Sequence, residues 1–589
     1  MTAQTSTSQA STEADKASSG YRDVQVLPIA ADTTVLRSRS WERLRFEVEY
    51  ALEKGTTANS YLIRGNQIAL IDPPGASFTK TFLAALSAEI DPHDIDYIII
   101  GHTNPNRIET LKALLPLTPQ AAIVCSNPAA ITLKSALQET EFNNPIQIAK
   151  SGLDQDLDLG QGHHLQFIPV PTPRWPDGLC TYDSYSEVLF SDKFFCAHVC
   201  SEDAYDLNRE TLLEDQRYYF DCSMAPNARQ VQTALEKLKD YAPRLYAVGH
   251  GPLVRYGVTE LGQRYFQWAA EQKKSDLSVA LIYASAYGNT TTIGQAIARG
   301  IIKAGIGVES INAEQATTAE IKEAAEKSAG FIMGSPTLGG HAPTQIQTAL
   351  GVVLSAASKT KLAGVFGSFG WSGEAIDLLE SKFTDAGYSF GFEPIRVKFT
   401  PDASTLQECE QAGTDFAQQL KKSKKVKAPR VAATSVERAM GRLVGSMCVV
   451  TAKHDNISSA MLASWVAQAT FTPPGFTVAV AKDRAIEGLL HKGSDFALNI
   501  LSEGKQTGSM KHFLKPFAPG ESRFEGVETT ESENGQIVLS DAIAFLECKV
   551  ANRMDCGDHW VIYATVSGGE VAEPNAKTAV HHRKTGTHY

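Results

Sequence analysis

Ionisable side chains follow three short apolar runs in the first half of this chain of 589 residues. His102 comes just after the run 95–100, in the stretch Gly-His-Thr-Asn-Pro-Asn-Arg. Asp192 and Lys193 follow the run 188–191, and His250 follows the run 245–248. Because α/β sheets place their chemistry at the carboxyl ends of strands, these positions are candidates for a functional edge. Imidazoles in such a place are common metal ligands.

A short loop of small and hydroxyl residues lies between the apolar run 277–283 and a helix expected from 291 to about 304. In such a loop backbone N–H groups converge on an anion at the start of the helix. Thr290, Thr291 and Thr292 add hydroxyl donors. The nucleotide P-loop pattern G-x-x-x-x-G-K-[ST] is absent. The loop is instead similar to the phosphate loop of flavodoxins, which hold FMN with two later loops at the same sheet edge.

Two further loops stand in the order and spacing that this resemblance requires, at 335–340 and 368–373. Phe369 and Trp371 could supply an aromatic face for the flavin ring. The alternative is that all three are tight turns between strand and helix, but three such loops in order favour FMN. The resemblance implicates Ser285, Ala286, Tyr287, Gly288, Asn289, Thr290, Ser335, Pro336, Thr337, Leu338, Gly339, Ser368, Phe369, Gly370, Trp371 and Gly373.

The last part of the chain resembles the split-barrel NAD(P)H:flavin reductases. The stretch 461–470, followed by Pro473 and Pro474, is similar to their flavin-binding segment, and Gly-Asp-His at 557–559 is similar to a second motif. The resemblance assigns FMN or FAD binding to Ser464, Trp465, Gln468 and Thr470, and a catalytic place near flavin or nicotinamide to His559. Taken alone, His559 would be read as a structural histidine. No G-x-G-x-x-G fingerprint accompanies the motifs, so nicotinamide would bind against the flavin.

The elements that must position these residues fall into three domains and two connecting segments. Residues 25–268 alternate strands and helices, 276–420 repeat a strand–loop–helix unit typical of a parallel sheet, and 435–589 are rich in β-like runs that indicate an antiparallel barrel. Residues 1–24 are expected to be a disordered tail, and the lysine-rich stretch 421–434 a solvated basic linker.

Composition limits the functions that the chain can have. A net charge of −11 argues against nucleic acid as the main ligand, and no apolar run reaches the roughly 20 residues of a membrane helix. Nine cysteines without a C-x-x-C pair argue against a zinc ribbon and favour a reducing, cytoplasmic location.

The order of the three domains resembles that of the cyanobacterial flavodiiron proteins: a metallo-β-lactamase-like αββα domain, a flavodoxin-like doubly wound domain and a flavin reductase barrel. In that family electrons pass from NAD(P)H through flavin to a diiron centre that reduces O2 to water, or NO in some members. The resemblance therefore implies a flavoprotein oxidoreductase of the NAD(P)H:oxygen type.

Carried over residue by residue, the diiron ligands of the family fall on a substituted set. Its first ligand run, H-x-E-x-D-H, falls on His102, Asn104, Asn106 and Arg107, and its later ligands fall on Arg174, Lys193 and His250. With histidine counted as neutral, the exchange changes the formal charge of the set from −3 to +3. Arginine stays protonated and cannot ligate, and two histidines fall short of the two-histidine, one-carboxylate minimum for non-haem iron.

The chain's own diiron centre is therefore expected to be absent, although an adventitious metal on the two histidines is an alternative. A shifted alignment would make Asp192 a ligand in place of Lys193, and would still leave the first run broken. Buried cations need balance, which a bound anion such as chloride, water or nearby carboxylates would supply. Sequence proximity suggests Asp177, Asp192, Glu202 and Asp203.

Three functions are compatible with this pattern. The first is an electron-delivering subunit, paired head-to-tail with a related flavodiiron protein whose metal site is intact. The second is a stand-alone NAD(P)H:flavin oxidoreductase, and the third is a regulatory or structural partner. The sequence does not distinguish NADH from NADPH, O2 from NO, or a homodimer from a heterodimer.

Overall fold

The computed structural model describes residues 21–41, 44–46, 50–52, 54–138, 143–150, 156–273, 277–427, 434–454, 457–515, 517 and 520–586. The chain divides into two compact units, Met1–Lys274 and Ser275–Tyr589. Within the described ranges, none of the helices combines the length and the apolar character that crossing a bilayer requires. Residues 1–20 of the expected tail lie outside the described part, and its end needs a correction, because a strand already begins at Arg22.

The first unit is built on two facing sheets. Its strands are β1 (Arg22–Ala30), β2 (Thr33–Ser40), β3 (Leu44–Phe46), β4 (Tyr50–Leu52), β5 (Thr56–Arg64), β6 (Ile68–Ile71), β7 (Tyr97–Ile100), β8 (Ala122–Cys125), β9 (Ile146–Ile148), β10 (Leu157–Gly160), β11 (His163–Pro169), β12 (Leu179–Asp183), β13 (Val188–Asp192) and β14 (Leu245–Val248). One sheet has the order β1-β2-β5-β6-β7-β8-β9 and the other β10-β11-β12-β13-β14. Tyr61 joins them: its ring lies 5.1 Å from that of Phe190, and its hydroxyl donates to Val248 O at 2.6 Å.

The strands that were expected to carry chemistry lie side by side. In the first sheet β6 and β7 are parallel neighbours, and in the second β13 and β14 are parallel neighbours. The carboxyl ends of each pair therefore meet at one edge. The helices of this unit are α1 (Thr79–Glu89), α2 (Pro105–Leu114), α3 (Asn127–Ala136), α4 (Arg209–Tyr219), α5 (Ala228–Leu238) and α6 (Val258–Lys273). Because α6 continues to Lys273, the predicted domain end at 268 falls inside a helix.

The second unit begins with a parallel sheet of doubly wound topology. Its strands are β15 (Ser278–Tyr283), β16 (Gly307–Asn312), β17 (Gly330–Pro336), β18 (Leu362–Phe369), β19 (Ser389–Phe390) and β20 (Ile395–Lys398), and the order is β16-β15-β17-β18-β19, with β20 also paired to β18. The helices are α7 (Asn289–Lys303), α8 (Thr318–Lys327), α9 (Thr344–Ala356), α10 (Glu374–Asp385) and α11 (Ala403–Lys427). This is the flavodoxin-like domain that the sequence predicts.

Helix α11 corrects the predicted basic linker. The helix runs through 421–427, so the first half of that stretch is helical, while 428–433 lie outside the described residues. Lysine is a good helix former. This propensity, together with the packing of the preceding turns of α11 against α7, explains why the lysine run extends the helix instead of ending it.

The rest of the second unit is an antiparallel barrel, as predicted. Its main sheet has the order β23-β22-β26-β29-β30-β25-β24, with all neighbours antiparallel. The strands are β21 (Gly445–Ser446), β22 (Cys448–His454), β23 (Ile457–Ala463), β24 (Val466–Phe471), β25 (Pro474–Ala481), β26 (Asp495–Leu501), β27 (Thr529–Glu531), β28 (Ile537–Leu539), β29 (Ala542–Cys556), β30 (His559–Val571) and β31 (Val580–His581). The helices are α12 (Ser435–Met440) and α13 (Thr507–Leu514).

Helices α7 and α11 pack closely because glycines stand at their contact. A Cβ atom on Gly300 would lie 1.9 Å from Glu410 O, and one on Gly413 would lie 2.0 Å from Ile297 O. We expect Gly300→Ala to lower the free energy of unfolding by about 2 kcal/mol or more, because the helices would have to separate. Denaturant unfolding of the full chain measures the effect.

The matched control for that variant is Gly351→Ala. Gly351 lies on the exposed side of α9, and a Cβ there would meet nothing within 4 Å. Alanine is the better helix former, so this variant should raise stability by about 0.5–1 kcal/mol. Equal effects of the two variants would show that the contact between α7 and α11 is not tight.

Candidate functional site

His102 stands two residues beyond β7, and the chain there turns directly into α2. Asn104 is the residue that precedes the helix: its Oδ1 accepts from Arg107 N at 2.8 Å, and Pro105 takes the first helical position. An asparagine cap followed by proline is a strong start signal for a helix. The Asn104 amide therefore has its Oδ1 committed to the backbone, and its Nδ2 lies 3.0 Å from His102 Nε2.

The protonation pattern of His102 follows from these contacts. Since Asn104 Nδ2 can only donate, His102 Nε2 accepts from it, and Nδ1 carries the ring proton. Nδ1 donates to Asp192 Oδ2 at 2.6 Å and also lies 3.1 Å from Arg107 Nη1. Both ring nitrogens of this buried histidine are thus hydrogen-bonded within the protein. The lone pair that a metal would need is directed at the Asn104 amide.

Arg107 lies between two buried carboxylates. Its guanidinium is 2.8 Å from Asp72 Oδ1 and 3.5 Å from Asp192 Oδ1, and it also donates to His102 O at 2.9 Å. Burial lowers the pKa of Arg107, but Asp72 and Asp192 more than offset that effect, so the pKa is raised and the cation is held. Burial and the neighbouring Asp192 raise the pKa of Asp72, against the opposing effect of Arg107.

His250 forms the second half of the site, with Lys193. Its Nδ1 donates to Thr57 O at 2.7 Å, which leaves Nε2 to accept from Lys193 Nζ at 2.9 Å. Lys193 is buried and lies 5.7 Å from the centre of the Trp175 ring. The imidazole lone pair of His250 is therefore directed at an ammonium group.

The remaining predicted positions lie at the rim. Arg174 places its guanidinium carbon 4.7 Å from the centre of the Trp175 ring. Asn106 is exposed on α2. The structure thus brings together His102, Asn104 and Arg107 on one side and Lys193 and His250 on the other.

The carboxylates suggested by sequence proximity have different partners from those expected, with one exception. Asp192 does balance a cation, as described. Asp177 instead accepts from Thr103 N and Thr103 Oγ1, both at 2.6 Å, and Glu202 pairs with Arg39 at 2.7 Å. For Asp203, the described contacts go through its backbone carbonyl. Sequence proximity was a poor guide for Glu202 and Asp203, because the loop that carries them contacts Arg39 and Arg37 of β2.

Two site residues were missed by the sequence reasoning. Asp72 follows β6 directly, next to the strand that leads to His102, so the rule applied to His102 would also have found it. His198 lies 4.8 Å from the His250 ring, measured between centroids, and its Nδ1 is 2.7 Å from Thr56 Oγ1. No motif in the sequence singles out His198.

The three predicted flavin loops lie at one edge of the second unit. They follow β15, β17 and β18, which are adjacent and parallel. The first loop leads into the N-terminus of α7 through Gly288, whose φ of 85° favours glycine, and Ala286, Tyr287 and Gly288 are exposed. A helix N-terminus of this length, without acidic residues in its first turn, suits a phosphate.

Contacts between these loops support a common binding edge. Thr290 Oγ1 and Ser368 Oγ lie 2.8 Å apart, and Thr337 N donates to Ser368 O at 2.9 Å. Within the first loop, Thr291 N donates to Ser285 Oγ at 3.2 Å. The Thr337 hydroxyl is buried and has no hydrogen-bond partner among the described residues. A buried hydroxyl without a partner fits a site whose ligand supplies the missing bond. The residues present therefore fit FMN.

The aromatic residues of these loops differ in how far their side chains are exposed to solvent. Trp371 is 91% exposed and Tyr287 83% exposed, whereas Phe369 is half-buried. Trp371 makes an edge contact with Phe399, with 6.4 Å between ring centres. The exposed side chains are the ones free to cover a flavin ring.

The predicted reductase residues meet at the start of β24 and β30. The Trp465 and His559 rings lie 5.0 Å apart, and the buried Ser464 hydroxyl and His559 Nε2 have no hydrogen-bond partner within the described ranges. Arg583, which the sequence reasoning missed, lies 4.9 Å from the Trp465 ring.

Gln468 and Thr470 lie further along β24. Thr470 Oγ1 donates to Pro473 O at 2.7 Å and is 3.1 Å from Tyr563 Oη, and Gln468 is exposed. Ser464, Trp465 and His559 therefore form the compact part of this site, with Gln468 and Thr470 on the same strand beyond it.

Comparison with known proteins gives the same three parts in the same order. The ODP family beta lactamase model matches residues 56–251, the flavodoxin model 281–413, and the flavin reductase like domain 440–587. The putative diflavin flavoprotein A 6 of Nostoc sp. (strain PCC 7120) is 63% identical, over 96% of this chain and 99% of that protein. The chain belongs to the diflavin flavoproteins, the three-domain flavodiiron family.

Two further relatives extend this result. The putative diflavin flavoprotein A 3 of Synechocystis sp. (strain PCC 6803) is 61% identical, over 96% of each chain. Among solved structures, the metal-soaked Flv1 flavodiiron core from Synechocystis sp. PCC6803 is 62% identical with a TM-score of 0.66, and it covers 68% of this chain and 99% of that one. This diflavin flavoprotein is accordingly a flavin-dependent oxidoreductase with a reductase barrel that implies use of NAD(P)H.

The donor set of this diflavin flavoprotein does not fit the diiron centre that its family implies. The lone pairs of His102 and His250 are directed at Asn104 and Lys193, and Asp72 and Asp192 are bound to Arg107. Over the described residues, no group of three or more His, Cys, Asp or Glu side chains could hold a metal ion. Asp192, the alternative ligand, pairs with His102 and Arg107 instead.

Arg107→Met tests whether salt bridges hold this site together. The variant would leave Asp72 and Asp192 buried without their cation, which should cost about 3–5 kcal/mol in the free energy of unfolding. Arg209→Met is the control, because its pair with Glu260 at 3.4 Å is solvent-exposed and should cost less than about 1 kcal/mol. Similar small losses in urea unfolding of both variants would contradict the salt-bridge account.

Thr337→Val tests the FMN edge. The valine removes a hydroxyl that has no partner among the residues that the structure describes, so the flavin-free protein should keep its stability. FMN affinity should fall several-fold, corresponding to about 1 kcal/mol. Titration of flavin-free protein with FMN, followed by quenching of flavin fluorescence, measures this. Thr360→Val, in the exposed turn before β18, should leave affinity unchanged. An unchanged affinity of Thr337→Val would exclude that hydroxyl from the site.

Proposed function

We propose that this chain takes electrons from NAD(P)H and delivers them to O2 reduction at a metal site in a related partner chain. The observation that supports this most strongly is the contrast between its sites. At the flavin edge the Thr337 hydroxyl has no hydrogen-bond partner in the described part of the chain, and a helix N-terminus is exposed. The lone pairs of His102 and His250 are instead directed at donor groups. The residues proposed to bind flavin fit that ligand, whereas the residues at the iron-ligand positions of the family do not fit iron.

The residues proposed to hold FMN are those of the three loops, with the phosphate at the N-terminus of α7 and the ring beside Tyr287 and Trp371. The residues proposed to hold the second flavin, FMN or FAD, are Ser464, Trp465, Gln468 and Thr470. When bound, the flavins supply the redox chemistry that no side chain here provides. Ser464 and Thr337 would orient the flavins by hydrogen bonds, and His559 would face flavin or nicotinamide as the catalytic group.

The site formed by His102, Asn104, Arg107, Lys193 and His250 is proposed to stabilise the fold of the first unit. Asp72 and Asp192 balance Arg107. A bound anion such as chloride stays a prediction for this site, where the Trp175 ring lies against Arg174 and Lys193. The chain is further proposed to be cytoplasmic and to pair head-to-tail with a flavodiiron partner.

Metal, flavin and oxygen measurements on the purified chain test the proposal. Alone, it should contain FMN but little iron, and NAD(P)H oxidation should yield peroxide slowly. Mixed with a flavodiiron chain that has a complete ligand set, it should speed O2 reduction to water, measured with an oxygen electrode and a peroxide assay.

A variant separates electron delivery from the other two functions. Thr290→Asp places a negative charge where the phosphate would bind, so it should abolish the stimulation of the partner, while Thr360→Asp should not. A full complement of iron in the chain alone, with O2 reduction to water that a chelator abolishes, would overturn the proposal. Fast peroxide production by the chain, without an effect on the partner, would favour a stand-alone reductase. If Thr290→Asp still stimulates O2 reduction by the partner, the chain would instead be a regulatory subunit.

A further inference from the structure

A buried charge cluster joins the flavodoxin-like part of the second unit to the barrel. Lys303 Nζ lies 2.8 Å from Glu410 Oε1 and 2.8 Å from Glu487 Oε2. Glu487 Oε1 accepts from Trp560 Nε1 at 3.0 Å and lies 3.4 Å from Arg553. Lys303 is on α7 and Glu410 on α11, whereas Glu487, Arg553 and Trp560 belong to the barrel. One set of hydrogen-bonded and paired charged groups therefore spans the junction.

The cluster fixes the junction, because both oxygens of Glu487 have partners. Burial raises the pKa of Glu487, but Lys303, Arg553 and Arg299 outweigh it and lower the pKa to about 2, so this carboxylate stays charged. Swinging the barrel away from α7 would break these contacts together and leave charges unbalanced. The barrel is therefore held in one orientation on the two helices.

The reductase motif is placed at the far ends of those helices. Gln418, late in α11, donates to Asp483 O at 3.0 Å, and the adjacent Lys482 N donates to Asp558 O at 2.9 Å. Asp558 precedes His559, whose ring hydrogen-bonds to it and lowers its pKa, with a further contribution from Lys421. Lys421 Nζ in turn lies 3.7 Å from where a Cβ of Gly305 would be, just past the end of α7.

The FMN loops are at the opposite ends. Helix α7 starts at the phosphate loop and runs back along the sheet for 15 residues, which is about 22 Å. Helix α11 packs beside it, with Gly300 against Glu410 and Gly413 against Ile297. The length of a helix therefore separates the phosphate loop from the region of His559.

We propose that the reductase site of one chain reduces the FMN of a second copy of the chain. Electron transfer between flavins falls off steeply with distance, and the fixed junction keeps the two sites of one chain apart. NAD(P)H would lose a hydride to the barrel flavin and leave as NAD(P)+, and two electrons with one proton would then pass to the FMN of the other chain. The inference rests on the proposed function, since it needs a flavin at each site.

The surface around the FMN loops suits a protein partner. Tyr287, Trp371 and Phe399 are all more than half exposed, and Leu338 is 40% exposed. Large apolar side chains grouped at a functional edge are typical of an interaction surface. Because this edge also has to face an oxygen-reducing partner, the two contacts would alternate.

Complementation between two defective chains tests the inference. Thr290→Asp lacks FMN but keeps the reductase site, and the double variant Trp465→Ala, His559→Ala keeps FMN but lacks that site. Mixed without oxygen, the two should together bleach the FMN absorbance with NAD(P)H, at a rate that rises with the concentration of the first chain. The rate should persist when excess flavodoxin apoprotein is added to trap free flavin. Sedimentation of the same chains, prepared without flavin, should show association that Trp371→Ser weakens.

Each outcome decides the question. Concentration-independent bleaching in the wild type, without complementation between the variants, would overturn the inference in favour of transfer within one chain. Complementation that the trap abolishes would overturn it in favour of a diffusing flavin. If the wild-type FMN is not reduced by NAD(P)H at any concentration, the proposed function itself fails, which is a different result from either.

Discussion

The first unit depends on the balance of one buried positive charge. Arg107 enters the interior at the start of α2, and it can remain there because Asp72 and Asp192 approach it from the ends of two strands in different sheets. Asp192 also accepts a hydrogen bond from His102 Nδ1, so the same carboxylate orients the histidine. Coulomb attraction in a poorly hydrated interior thus performs the connecting task that a metal ion performs in a ligand-rich site.

Much of this arrangement could be predicted from the sequence, because a short apolar run followed by a polar or charged residue marks the end of a strand. The runs before His102, Asp192 and His250 became β7, β13 and β14, and the loops after 283, 336 and 369 met at one edge because parallel neighbours must end together. The antiparallel barrel could likewise be predicted from the β-like runs of residues 435–589. Each of these predictions follows from local pattern.

What the sequence could not supply was which charged groups would meet. Asp177 was expected to balance cations and instead holds Thr103, while Asp72 was overlooked although it lies against Arg107. Distance along the chain says little about pairing across two sheets. The lysine run at 421–427 was misread for a related reason: its composition suits a solvated linker, but packing of the preceding turns of α11 against α7 carries the helix onward.

Asn104 makes two contacts that a metal ligand at the same position could not both make. One amide caps α2 with its oxygen and occupies the His102 lone pair with its nitrogen. A carboxylate introduced there alone would lose the donor to His102, and an imidazole at 107 alone would leave two aspartates without their arginine. Either change alone would thus cost stability before any metal could bind. A metal site at this edge would therefore require several residues to be replaced together.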